Sequence, residues 1–389
     1  MTSGRQDILA GRASTWRSAA LLRCGLWVAS CAPVQAQVAP GAPYLALPAP
    51  RLTIGSEGDP DYEFVSLIAA LRLPNGAIAV ADRQTPTIRI YDDKGRLIGK
   101  LGRRGEGPGE FRRITELFAA GDTLTAFDSN LLRLTHYRAG GALLGTQPVR
   151  TAGGGRVHVT GRLADGHWLV TTLHSPNWNH GPGVYRDTLG VGLLPSSSSG
   201  QVRWVGSFPG ASLFAYMPGQ NKPQWAVGWL FFAPTTLVGS IADTVIVGDT
   251  GVPELRYFRP DGSLVRRVTL PLDAAPDLSR HRAAARDEAL AETGANRGYV
   301  EASYEVPRPA PHYRNFLIAA DGQVWIRLFE ERPSGPSRYL ILSAAGGIRA
   351  RVALPARSEI LSVQPPWVMV VLRDANDVER LGVVRWETP

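Results

Sequence analysis

The chain has 389 residues, 44% of them hydrophobic and 20% charged, and carries a formal charge of +8. This composition excludes a disordered, charge-dominated chain and leaves enough apolar mass for a large core. Part of the positive excess lies in the leader, where Arg5, Arg12, Arg17 and Arg23 face only Asp7. No block of Lys and Arg interleaved with aromatics follows, so a nucleic-acid-binding face is not expected.

Residues 1–36 read as an export signal. Arg12 and Arg17 precede a mostly apolar stretch, and Val34-Gln35-Ala36 offers the small residues a signal peptidase accepts, leaving Gln37 as the first mature residue. Val28-Ala29-Ser30-Cys31 also fits a lipobox, which would make Cys31 a lipid anchor. Both processing routes stay open. Both cysteines, Cys24 and Cys31, fall in this leader, so a chain cut at Gln37 has no thiolate chemistry. No later stretch is long and apolar enough for a transmembrane domain. The expected location is therefore periplasmic or extracellular, with a lipid-anchored envelope location as the alternative.

A Pro/Ala-rich linker, 37–50, leads into the organised chain at 51–389. The first unit reads as four strands over 65–71, 77–82, 87–91 and 97–101, with Ile78, Val80, Ile88 and Ile90 at period-two spacing. Pro74-Asn75-Gly76 and Asp92-Asp93-Lys94-Gly95 supply its turns. A second unit follows over 114–148, and a third opens at 157–172 before losing regularity. A fourth is expected over 225–232, 244–248, 254–258 and 265–270, and a fifth over 315–353. The last unit, 360–385, has only three visible strands. Residues 51–55, ahead of the first unit, are placed to supply the fourth and tie a ring shut. Between the fourth and fifth units, 277–294 is expected to form a short amphipathic helix capped by Asp277.

The expected fold is thus all-β: a six-bladed beta-propeller of four-stranded antiparallel blades, its N-terminal strand closing the last blade, with one short helical insertion. Ile88-Arg89-Ile90-Tyr91-Asp92, Gly102-Arg-Arg-Gly-Glu-Gly-Pro-Gly-Glu-Phe111, Arg256-Tyr257-Phe258 and Asp321-Gly322-Gln323-Val324-Trp325 carry a resemblance to the bacterial six-bladed β-propellers related to NHL-repeat proteins. The resemblance implies a ligand or protein platform, or in some members a metal-assisted lactonase or other enzyme. Fold alone does not choose between them.

Candidate chemistry is sparse. The glycine-rich run 102–111 lacks the Gly-Lys-Ser/Thr ending of a phosphate loop and reads as an inter-blade connector. His174, Trp178, Asn179, His180 and Tyr185 form the most unusual local collection, with His312 and Tyr313 at the fifth-unit entrance as a second ligand-binding candidate. Asp82, Asp128 and Asp374 are the carboxylates that a calcium or other divalent metal would take, although no compact His-x-x-x-His site accompanies them. No catalytic residue is assigned. The expected function is a noncatalytic binding platform for a small molecule, glycan or envelope protein. A metal-assisted ester or lactone hydrolase and a structural envelope component are the alternatives.

Overall fold

The computed structural model describes residues 43–387, apart from 153, 173–182, 197–200, 217–225, 231, 273–277, 292–296, 306–309 and 330–334. Six strands stand innermost in six sheets: β1 (Leu67–Arg72), β2 (Ile114–Ala120), β3 (Val157–Arg162), β4 (Thr236–Ile241), β5 (Tyr313–Ile318) and β6 (Glu359–Gln364). Each packs beside the next, and β6 packs beside β1, so the sheets are blades around a closed ring. Within each blade the strands that follow the innermost one step outward in chain order and pair antiparallel. Blade 6 takes its outermost strand from the N-terminal side: Leu52–Ile54 pairs antiparallel with Glu379–Arg385. Residues 45–46 pair in parallel with the outer strand of blade 5, Leu45 opposite Val352. The same N-terminal segment is thereby stitched to two blades.

The apolar core lies between the blades. Six clusters of buried residues each draw on two neighbouring sheets, as where Ile88 and Leu101 of blade 1 meet Phe111, Ile114 and Tyr137 of blade 2. A β-strand puts alternate side chains on opposite faces, so a blade sandwiched between two others needs apolar residues on both. The second strand of blade 1, Ile78–Asp82, is accordingly buried along its whole length.

The turns follow one local rule. Asn75, Asp92, Asp165, Asp261 and Asp321 each accept a hydrogen bond from the backbone N–H two residues on, at 2.8–3.1 Å. Such a side chain mimics a turn of backbone, and a following glycine takes the positive φ that ends it: +88° at Gly262 and +85° at Gly322.

The glycine-rich run is a buckle between blades 1 and 2. Residues 103–104 pair in parallel with 110–111, and Phe111 is fully buried in the interface. Arg133 of blade 2 donates to the carbonyls of Glu106, Gly107 and Glu110 at 2.8, 3.0 and 2.6 Å. The N–H of Gly107 and the Arg103 guanidinium hold the Glu110 carboxyl below the usual carboxylate range, against a smaller effect of desolvation.

One expectation needs correction and another is extended. The strand read at 225–232 does not open blade 4: Ala226–Trp229 is a fifth, outer strand of blade 3, paired with Arg203–Tyr216. The inner strand of blade 4 is β4, whose Gly239 interrupts the apolar pattern. A Cβ at Gly239 would run into Ile318 of blade 5, so packing across the interface demands what the sequence pattern disguises. The helical insertion expected over 277–294 is present as α1 (Ser279–Ala291), and a second helix, α2 (Arg297–Glu305), follows it. Helix α2 packs on the long hairpin of blade 3, with Tyr299 5.4 Å from Phe214 between ring centroids. Asp277, the expected cap, lies outside the described residues.

Candidate functional site

The two faces of the ring differ in how their polar groups are used. On the face where each blade's second strand ends, carboxylates pin the backbone. Asp82 accepts from the N–H groups of Val65, Ser66 and Gln84, all within 2.9 Å. Asp128, at the equivalent place in blade 2, accepts from Arg112, Arg113, Asn130 and Leu131. In blade 4 the Thr250 hydroxyl takes this role, accepting from Thr235 at 2.9 Å. Each side chain fastens the chain entering a blade to the corner beyond that blade's second strand.

Asp82 and Asp128 therefore do occupy comparable ring positions, but their oxygens are already filled by N–H donors. Desolvation pushes the Asp374 carboxyl up, yet the N–H donors of Asn376 and Val378 and the Arg380 guanidinium outweigh it and leave it below the usual range. Among the described residues, no three His, Cys, Asp or Glu side chains gather where a metal ion would need them. Asp82, Asp128 and Asp374 stand at separate corners, each engaged by backbone N–H donors.

His174, Trp178, Asn179 and His180 lie outside the described residues. Tyr185 is half-buried in the long hairpin of blade 3, where desolvation and then the Asp187 charge push its phenol up. Beside it, Arg186 makes a two-pronged ion pair with Asp249 of blade 4, both contacts at 2.9 Å. His312 donates its backbone N–H to the Thr250 carbonyl at 2.8 Å. Tyr313 is fully buried, and its hydroxyl fills the space where a Cβ on Gly248 would stand. Burial, with Asp249 adding to it, drives that phenol far above its usual range. Tyr313 thus belongs to the packing between blades 4 and 5 and is not presented to a ligand.

The opposite face, where inner strands turn into second strands, carries an open pocket of about 280 Å³. It is lined by Arg72, Leu73 and Pro74 of blade 1, Ala119 and Gly121 of blade 2, and Gln364 and Trp367 of blade 6. The Gln364 amide reaches across the blade boundary: its oxygen accepts from Arg72 N at 2.7 Å and its nitrogen donates to Arg72 O at 3.0 Å. This fixes the Arg72 backbone as another strand would. The Arg72 guanidinium then lies 4.6 Å from the Trp367 ring centroid, a cation–π contact. On another side, Gly76 leaves it room, since a Cβ there would come within 3.2 Å of the guanidinium. Among the described residues no carboxylate pairs with Arg72, and the pocket lining carries no negative charge. The sequence gives no sign of this grouping, because Arg72 and Gln364 are 292 residues apart.

Closed ring, inter-blade cores and end-to-end strand exchange define a six-bladed β-propeller. Residues 61–151, which span the first two blades, match a family model described as a 6-bladed beta-propeller (DUF5128). No curated protein sequence matches the chain. Among solved structures, a member of the DUF4221 family from Bacteroides vulgatus aligns over 88% of this chain and 98% of that one, at 10% identity and a TM-score of 0.53. A gluconolactonase from Xanthomonas campestris aligns over 90% of this chain and 99% of that one, at 13% identity and a TM-score of 0.44. Regucalcin, a calcium-binding protein from Agrobacterium tumefaciens, aligns over 89% and 98%, at 9% identity and 0.42. The first likeness shows the fold; the other two are too distant to carry an argument about chemistry.

Proposed function

We propose that this protein is an exported, noncatalytic binding platform that holds a small molecule in the pocket between blades 6, 1 and 2. The observation that carries the reading is Arg72, whose backbone is clamped by Gln364 while its guanidinium lies over the Trp367 ring with no acidic partner among the described residues. A guanidinium held in place and left unneutralised is preorganised for an incoming group, which reduces the entropy lost on binding. The rigid ring supports this rim, as suits selective binding without turnover. The export reading rests on the leader, and no helix among the described residues is long and apolar enough to cross a membrane.

The test is a ligand-observed NMR screen of small metabolites against the wild type and Ala119→Phe, a substitution at an exposed position that fills the pocket. Ligands that bind the wild type, are lost on Ala119→Phe and are recovered unchanged would support the platform. Turnover of those ligands, or binders indifferent to Ala119→Phe, would refute it.

A further inference from the structure

We infer that the pocket selects a small carboxylate with a planar or apolar body, an inference that rests on the binding reading above and narrows its ligand class. Three features converge on this choice. Arg72 is the charged residue in the lining and has no counter-ion among the described residues, so an anion entering the pocket gains a charge-assisted bond without breaking an existing ion pair. The guanidinium is a planar fork lying over the Trp367 ring, and its N–H donors match the two oxygens of a carboxylate. Apart from Gln364 the remaining lining is apolar: Leu73, Pro74, Ala119 and the Gly121 backbone offer few partners for the hydroxyls of a sugar.

The geometry also sets a size. A pocket of about 280 Å³ lies at the lower end of small-molecule sites. That volume accommodates a single ring with one acidic substituent. Gln364 is a positioning residue here, since its amide oxygen and nitrogen are engaged by the Arg72 backbone. One N–H of that amide is left to meet the ligand. The guanidinium is placed by residues of two blades, Trp367 of blade 6 and the Gly76 turn of blade 1, so charge selection is built into the frame.

The experiment measures dissociation constants for four probes by NMR titration of the full mature chain: benzoate, benzamide, glucuronate and glucose. Benzoate is expected to bind at least tenfold more tightly than benzamide, and more tightly than glucuronate. Arg72→Met should reduce the benzoate-to-benzamide preference to within about twofold, and Arg72→Lys should restore only part of it, because a point charge lacks the fork. Raising the salt concentration should weaken benzoate and leave benzamide unchanged. Equal binding of benzoate and benzamide, or a preference that survives Arg72→Met, would overturn the carboxylate assignment. Glucuronate matching benzoate would overturn the apolar-body assignment. If only uncharged ligands bind, and Ala119→Phe abolishes them, the carboxylate inference falls while the platform stands. If no ligand is sensitive to Ala119→Phe, both fall. Far-UV circular dichroism and thermal unfolding of each variant separate lost binding from lost fold.

Discussion

Removing the Glu379 side chain should loosen the ring at its seam. Glu379 is 5% exposed and joins blade 6 to blade 1: one oxygen accepts from Leu67 N at 2.6 Å, the other from Arg373 Nε and Nη2 at 2.9 and 2.7 Å. In Glu379→Ala the Leu67 N–H loses its acceptor in a buried setting, which costs about 1–3 kcal/mol. Breaking a buried ion pair costs about 3–5 kcal/mol when the remaining charge stays buried. The Arg373 side chain is 29% exposed and regains some water, so the pair contributes less than that range. These terms overlap, and a total of about 3 kcal/mol is expected. Glu379→Gln keeps an acceptor for Leu67 and loses charge assistance, so its cost should be nearer 1 kcal/mol. Urea unfolding followed by both circular dichroism and tryptophan fluorescence reads the difference, provided the two transitions coincide. With a slope of about 3 kcal/mol/M, Glu379→Ala should lower the midpoint by roughly 1 M. A loss below about 0.5 kcal/mol, or equal losses for Ala and Gln, would refute the assignment of Glu379 as the seam's acceptor.

The same approach reaches three other places. Gly102→Ala should destabilise by about 2–3 kcal/mol, because φ is +78° there and a Cβ would collide with the Phe111 ring; unchanged urea stability would contradict the buckle. Asp249→Asn should cost about 2 kcal/mol by breaking the two-pronged pair with Arg186, measured by the same unfolding midpoint. Burial, followed by the Arg162 charge, depresses the His136 pKa, so the unfolded chain binds that proton more readily than the folded one. Its stabilising contribution is full above the unfolded value of about 6.5 and is lost as pH falls through the depressed folded value. His136→Gln should flatten the stability profile below pH 6.5, and a profile identical to wild type would exclude His136 as the source.

Much of the ring was legible because local and global demands agree in most blades. Asp261-Gly262 and Asp321-Gly322 announce turns through a side chain that bonds two residues ahead and a glycine that tolerates positive φ. The alternation in Ile78, Val80, Ile88 and Ile90 marks strands directly, and 51–55 was identifiable as the missing strand of blade 6 because only three strands were visible there. Strand β4 was hidden for the opposite reason: Gly239 serves the neighbouring blade's Ile318 and weakens its own strand's pattern. Helix α2 was missed although Tyr299, Val300, Ser303 and Tyr304 share one face, because it is only nine residues long and has Gly298 near its start. The carboxylates Asp82 and Asp128 stood out as metal candidates, but the backbone N–H groups they accept from come from a strand entry 15–17 residues earlier in the chain, which no local pattern announces. Arg72, Gln364 and Trp367 meet only because the ring closes, and no local pattern can report that.

The strand exchange at blade 6 has a consequence for the order of assembly. A chain emerging from a ribosome or a translocon presents Leu52–Ile54 early and its partner Glu379–Arg385 last. The contact between Leu67 and Glu379 spans 312 residues, for which loop closure alone costs about 5 kcal/mol if nothing between has folded. Each blade that forms in between shortens the free loop and lowers that cost. The pocket, which takes residues from blades 6, 1 and 2, can therefore form only in the final step, so a chain stalled before its last blade has no binding site to offer.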